Sequence, residues 1–164
     1  MIIKEARIDD RLVHGQVATA WIQQVQAQVI LVADDVAAKD EFQKKVLKIA
    51  CPHNVQLIIK TVDDAVALIE KDTSEFGVLL IVRSPKEAKR LLELGVKPNH
   101  WTLGNITARK TDLERVNILK YVYATKEDAN NLNAINEAGV KVVAQSVPSE
   151  KVYDIIDLLK KADF

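Results

Sequence analysis

Short apolar runs alternate along the chain with stretches whose apolar residues recur every three or four positions. Residues 2–8 interleave apolar and charged side chains and read as a strand. Residues 28–33 form a continuous run rich in β-branched side chains, as expected of a buried parallel strand. Similar runs at 55–59, 77–82 and 140–144 predict three more strands, and 101–103 and 119–123 predict two short ones. Between them the period becomes helical. Residues 16–26 put Val17, Trp21 and Val25 on one face, and residues 36–50 put Phe42, Val46 and Ile49 at helical spacing. A last helix is predicted from Pro148 and Ser149, with Val152, Ile155, Ile156 and Leu159 along one side.

Local punctuation supports these elements. Thr61 and Asp64 are spaced as a capping box ahead of a helix at 63–71, and Thr125 with Asp128 opens another that Gly139 closes. Ser84, Pro85 and Glu87 supply an N-cap, a first-turn proline and a box acid, and Gly95 suits the left-handed residue after that helix ends. The alternation breaks at 105–117, a polar stretch after Gly104 that carries Arg109, Lys110, Asp112, Glu114 and Arg115. It reads as a loop or a small hairpin. Strand and helix otherwise alternate nearly throughout. The prediction is an α/β fold: an open, mainly parallel twisted sheet with helices on both faces. Without a long linker, repeat or low-complexity tract, residues 1–164 read as one domain.

Composition narrows the function classes. The 164 residues carry 23 Lys+Arg against 23 Asp+Glu, a formal net charge of zero, and 48% are hydrophobic. A nucleic-acid binder is expected to show a basic excess, so the balance argues against one. The single Cys51 excludes an internal disulfide and fits a reducing compartment. The N-terminus lacks the apolar core of a signal peptide, and the longest apolar runs fall far short of the ~20 residues a spanning helix needs. The expectation is a soluble, cytoplasmic protein.

In open α/β sheets, ligands bind beyond the carboxyl ends of the strands. The loop after the first strand reads Asp9-Asp10-Arg11-Leu12-Val13-His14-Gly15-Gln16 and leads into a helix N-terminus, whose free amides and partial positive charge suit an anion. Gly15 would let an anion approach the backbone. His14 is nucleophilic near neutral pH, since an unperturbed imidazole titrates at ~6.5. Arg11 could fork onto phosphate oxygens. Asp9 or Asp10 could orient the imidazole or position Arg11. On residue types alone two readings stand: a phosphohistidine site, or a loop of solvated polar residues that cap and pair locally.

Sharper patterns fail. The loop has one glycine where a dinucleotide fingerprint needs three, and no Walker-type loop occurs. Asp9 and Asp10 mimic the acids of a receiver domain, but Lys60-Thr61 stands where its phosphoacceptor Asp would be. A histidine phosphatase has Arg directly before the His; here it is Val13. Cys51 and His53 flank Pro52 with no second pair at ligand spacing, so packing accounts for them better than a metal, and Cys51 has no base beside it to activate it. His100 is a loop residue that either touches a ligand or is merely polar surface. Trp21 reads as core.

At the first loop the sequence is similar to a known family. Residues 7–17, from Arg7 through Arg11 and His14 to Val17, with Trp21 beyond, resemble the signature of the IIB component of the mannose/fructose/sorbose class of the bacterial sugar phosphotransferase system. Asp34-Asp35-Val36-Ala37, Lys48-Ile49-Ala50 with Pro52, Gly139-Val140 and Gln145-Ser146-Val147-Pro148 resemble later parts of the same family, so the likeness covers nearly the whole chain. The resemblance implies an open, mainly parallel α/β sheet. It also implies that His14 is the phosphorylated histidine, Arg11 contacts the phosphoryl group, Gly15 and Gln16 complete the phosphate loop, and Asp9 and Asp10 support it. The implied carrier takes its phosphoryl group from the IIA component and gives it to a sugar held by the membrane components IIC and IID. It would work in the cytoplasm, peripheral to the transporter, with no metal or organic cofactor, because Arg11 and backbone amides take the role magnesium plays with nucleotides. One segment departs: many members have Gly-Gly and a small residue after the short fifth strand, whereas this chain has Leu103-Gly104-Asn105-Ile106. Two other classes remain at this point. One is a regulatory binding module controlled by phosphorylation of the same His14. The other is an unrelated α/β enzyme that needs no partner protein.

Overall fold

A computed structural model describes residues 1–108 and 114–164. Its strands are β1 (Ile2–Asp9), β2 (Val29–Ala33), β3 (Gln56–Lys60), β4 (Gly77–Val82), β5 (His100–Asn105), β6 (Val116–Leu119), β7 (Val122–Ala124), β8 (Lys141–Ala144) and β9 (Tyr153–Asp154). Its helices are α1 (Gly15–Val25), α2 (Glu41–Ala50), α3 (Val62–Lys71), α4 (Pro85–Glu93), α5 (Lys126–Glu137) and α6 (Ile155–Lys161), with a 3-10 turn at Ala37–Lys39. Seven strands form one sheet in the order β3-β2-β4-β1-β5-β8-β9, and β6 and β7 form a separate hairpin. Every pairing in the large sheet is parallel except the last, β8 with β9.

Side-chain alternation along the buried strands divides the core in two. Ala6, Ile8, Leu31, Leu80 and Val82 point to one face, where α3, α4, α5 and α6 cover them. Ile30, Val32, Leu79 and Ile81 point to the other, beneath α1, the 3-10 turn and α2. The expected α/β architecture with helices on both faces is what the chain adopts. No helix among the described residues is long and apolar enough to cross a membrane.

Several local expectations hold in detail. Thr125 and Asp128 form a reciprocal capping box, Thr61 and Ser84 cap α3 and α4, and Gly95 and Gly139 take positive φ just past helix ends. Others need correction. The stretch 36–50 is not one helix: Asp40 is extended and caps Gln43, splitting it into the 3-10 turn and α2. Within α2 the inward residue is Leu47, while Phe42, Val46 and Ile49 are exposed. Helical spacing showed that those three share a face but not which way it points. In α1 the buried residues are Ala18, Trp21 and Ile22, with Val17 and Val25 at the margin. Residues 119–123 span a turn between β6 and β7 rather than one strand. The last helix starts at Ile155, because Asp154 accepts from the amides of Ile156 and Asp157; Val152 lies outside it and is exposed. Arg109, Lys110 and Asp112 of the polar break lie outside the described residues.

His100 opens β5, so it lies at the edge of the sheet opposite the carboxyl ends of the parallel strands. Its Nε2 is 3.3 Å from Oε2 of buried Glu5, and this hydrogen bond holds the imidazole above its usual titration range. A raised folded value makes the charged form stabilising. That contribution is whole below about pH 6.5, the unfolded value, and is lost as pH rises through the higher folded one. Wild type and His100→Gln should therefore differ most in thermal midpoint on the acid side, with the gap closing toward alkaline pH. A gap that stays constant with pH would assign the pair no ionic role.

Candidate functional site

Charged residues alternate at positions 5, 7 and 9 of β1, so Glu5, Arg7 and Asp9 share the strand face opposite Ala6 and Ile8. This is the face that α1 covers. Arg7 and Asp9 are each only 2% exposed. The Asp9 carboxylate accepts the backbone amide of Arg11 at 3.1 Å and its guanidinium through two parallel bonds, Nε at 3.0 Å and Nη2 at 2.9 Å. The Arg11 side chain keeps partial access to solvent, and the Asp9 hydrogen bonds hold its guanidinium above the ordinary arginine range. One edge of the fork is thus committed to Asp9, and the other N–H groups are left for an incoming anion.

The loop then turns sharply. Leu12 is left-handed at φ 59°, uncommon for a branched side chain, and its amide donates to the Asp9 carbonyl at 2.9 Å. Burial of Leu12 and Val13 in the core beneath α1 holds that turn. It delivers His14 to the N-cap of α1, exposed, with no side-chain cap bond and no acid in the first helical turn. Among the described residues the imidazole has no hydrogen-bond partner. The first-turn amides are therefore free of any capping side chain, beside an exposed imidazole. A Cβ at Gly15 would meet nothing within 4 Å, so packing does not demand glycine there; the space above its backbone is open. Gln16 is exposed on the same turn.

Neither acid orients His14. Asp9 is taken by Arg11, and Asp10 is held by the next loop. The Asp10 carboxylate accepts from Asn105 Nδ2 at 2.7 Å, the Thr107 amide at 2.7 Å and the Thr107 hydroxyl at 3.0 Å, and its own amide donates to the Asn105 carbonyl. Asn105 thus supplies a side-chain tie between the β1 and β5 loops.

Two arginines were given no role in the sequence reading: Arg7, quoted only as part of the signature, and Arg83. Arg7 lies behind the loop: it donates to the carbonyls of Gln145 (3.1 Å) and Ser146 (3.0 Å), sits 4.5 Å from the Trp21 ring centre and faces Asp9 at 3.7 Å. Burial pulls it down to about 10, still charged at neutral pH. Trp21 is core, as expected, and its indole also donates to the Ser146 carbonyl at 3.0 Å. Arg83, just past β4, forks onto buried Asp34 at 2.8 and 3.0 Å and also meets Gln43 of α2 and the Asp10 carbonyl. The signals were present: a charge inside a buried strand for Arg7, and the first polar residue beyond an all-apolar parallel strand for Arg83.

The other candidates lie elsewhere. Cys51 and His53 border a groove of about 420 Å³ between α2 and the edge strand β3. Burial pushes the Cys51 thiol up, away from the thiolate form. Among the described residues no group of His, Cys, Asp or Glu could hold a metal ion.

These elements define a doubly wound α/β domain whose central first strand ends in a loop that leads to an uncapped helix N-terminus. A family model for the phosphotransferase system sorbose subfamily IIB component matches residues 3–164, and the chain belongs to that family. IIB components are phosphotransferases of sugar uptake. The chain is 31% identical over 152 residues to N-acetylgalactosamine-specific IIB component 1 of Escherichia coli, covering 92% of this chain and 94% of that one. It is 30% identical over 162 residues to the fructose-specific EIIB component of Bacillus subtilis, covering 98% and 97%. It spans half of the mannose-specific EIIAB component of Escherichia coli, at 29% identity. The crystal structure of the IIB domain of the sorbose permease from Klebsiella pneumoniae superposes with a TM-score of 0.92 at 26% identity, covering 100% of this chain and 99% of that one.

Gly104 tests how firmly Arg7 is held. A Cβ there would overlap the Arg7 guanidinium, 2.7 Å from Cζ, and Arg7 is bonded on its far side and stacked on Trp21. Gly104→Ala should therefore destabilise the fold by about 1–3 kcal/mol, as overpacking does, and lower the thermal midpoint. An unchanged midpoint would mean that the guanidinium moves aside freely.

Proposed function

We propose that the chain, as one IIB domain, is a cytoplasmic phosphocarrier peripheral to a membrane sugar transporter. His14 takes a phosphoryl group from a phosphohistidine of the IIA component and passes it to a sugar held by the IIC and IID components. The observation that carries this reading is the juxtaposition at one loop: an exposed imidazole at an uncapped helix N-terminus, beside an arginine whose fork is fixed by a buried carboxylate.

In the first transfer the donor's N–P bond breaks as an N–P bond to His14 forms. In the second that bond breaks as an O–P bond to a sugar hydroxyl forms, and the hydroxyl proton is released. His14 thus divides one transfer into two. A phosphoramidate already has a high transfer potential, so the protein's part is alignment and charge stabilisation. The first amides of α1 and the outer edge of Arg11 offer donors to the equatorial oxygens. Both are fixed in advance, which makes such donors effective.

Incubation with phosphorylated IIA, followed by mapping of the acid-labile phosphate, should place the label on His14. His14→Ala should abolish labelling and leave the fold intact; persistent acid-labile label in that variant refutes the assignment. Arg11→Lys keeps the charge and loses the planar fork. It should slow transfer by about 10- to 100-fold, more than it weakens partner binding. Wild-type rates would make Arg11 a surface charge.

A further inference from the structure

The outer face of α2 is apolar where a surface helix is expected to be polar. Phe42 is 77% exposed, Val46 47% and Ile49 84%. Their i, i+4, i+7 spacing places them on one stripe, pointing away from the inward Leu47. Val36, 64% exposed, precedes the stripe. Scattered exposed apolar residues need no explanation, but a contiguous group marks an interaction surface.

The stripe starts at the His14 end of the molecule. Because α2 follows β2, its first turn lies at the carboxyl edge of the sheet, where the phosphate loop also lies. Contacts join the two: Gln43 of α2 meets Arg83 at 3.3 Å, and Arg83 meets the Asp10 carbonyl at 3.5 Å. The exposed side of α1 itself is polar, with Gln16, Thr19, Gln23 and Gln24. A protein that brings a second imidazole to His14 covers on the order of 800 Å² around it and needs an apolar centre for that contact. Ile2, Phe76 and Leu94, also exposed, sit at the opposite edge of the sheet.

Charge selects among occupants. The chain as a whole is neutral, but the stripe is bordered by exposed Lys45 and Lys48, while Asp40 is engaged in capping and Glu41 pairs with Lys44. A second copy packed on the same stripe would set Lys45 close to Lys45. A partner with an apolar patch rimmed by carboxylates would satisfy both features. We propose that the α2 face is the docking surface for the protein that donates the phosphoryl group, and that this donor presents such an acid-rimmed apolar patch. The proposal rests on His14 being the acceptor.

The test compares two donors. Phosphoramidate labels an accessible histidine without any docked protein; the phosphorylated IIA component must dock. In Phe42→Ser/Ile49→Ser, both at exposed positions, transfer from phospho-IIA should fall about 10- to 100-fold in kcat/KM, chiefly through KM, while phosphoramidate labels His14 at the wild-type rate. Lys45→Glu/Lys48→Glu should show the same split and a weaker salt dependence than wild type, because its steering charges are reversed. A wild-type KM for phospho-IIA in both variants overturns the proposal. So does an unchanged KM accompanied by loss of a dimer in sedimentation, or by loss of binding to anionic phosphatidylserine vesicles, which would reassign the face to a second copy or to a membrane. If phosphoramidate and phospho-IIA label wild type at a residue other than His14, the acceptor assignment itself is wrong and the docking proposal falls with it.

Discussion

The Asp9 carboxylate is the fixed point of the site. It is almost fully buried, and a buried carboxylate persists only when it is paired and hydrogen-bonded. Its partners are the Arg11 fork and amide in front and the Arg7 guanidinium behind. Breaking one partner of a buried pair costs about 3–5 kcal/mol, whereas a surface pair is worth about 0–1 kcal/mol. The direction of Arg11 is therefore set by the core and not by solvent. Arg7 carries the constraint further, to the Gln145–Ser146 carbonyls, the Trp21 ring and the bare backbone of Gly104. The carboxyl ends of β1, β5 and β8 are thereby bound into one unit.

Topology explains why this unit sits where it does. β1 lies in the middle of the sheet, between β4 and β5. The chain leaves β1 through α1, crosses β4 to reach β2, and so raises the N-terminus of α1 over the seam of β1 and β4. Arg83 stands at that seam and repeats the motif of the first loop, an arginine forked onto a buried carboxylate, here Asp34. Asp34 also accepts the Ala37 amide at 2.6 Å, which sets the 3-10 turn ahead of α2. Asn105 and Thr107 close the other flank by holding Asp10. The loop after β1 is gripped from three sides, and among the described residues the His14 imidazole and the first-turn amides of α1 have no side-chain tie.

Much of this was legible in the sequence because the deciding physics is local. Apolar runs, capping residues and the glycines at helix ends located nearly every element of the large sheet, and the first loop stood out by residue type. What sequence did not show depends on packing direction. Phe42, Val46 and Ile49 have the same periodicity whether they face core or solvent, and only the break at Asp40 and the inward Leu47 decide it. Asp9 and Asp10 are alike in sequence but have different partners, because alternation sends Asp9 under α1 while Asp10, past the strand, reaches the β5 loop. Arg7 and Arg83 matter through contacts 138 and 49 residues away, beyond the reach of any local pattern.

The charge balance of the site bears on the proposed relay. Arg7, Arg11 and Arg83 are set among Asp9, Asp10 and Asp34, three cations against three carboxylates, so the pocket carries no excess of positive charge. What remains for a phosphoryl group is directional: the outer N–H edge of Arg11 and the open amides of α1. A pocket of uncompensated cations would hold the phosphorylated ground state as tightly as the transition state, and uniform binding of that kind does not speed transfer. Donors fixed in advance around a nearly neutral centre do the reverse. They cost no reorganisation when charge builds up on the equatorial oxygens, and they exert little long-range pull once the phosphoryl group has moved on. A carrier that must both take and give the same group needs that combination, and the buried Asp9 supplies it.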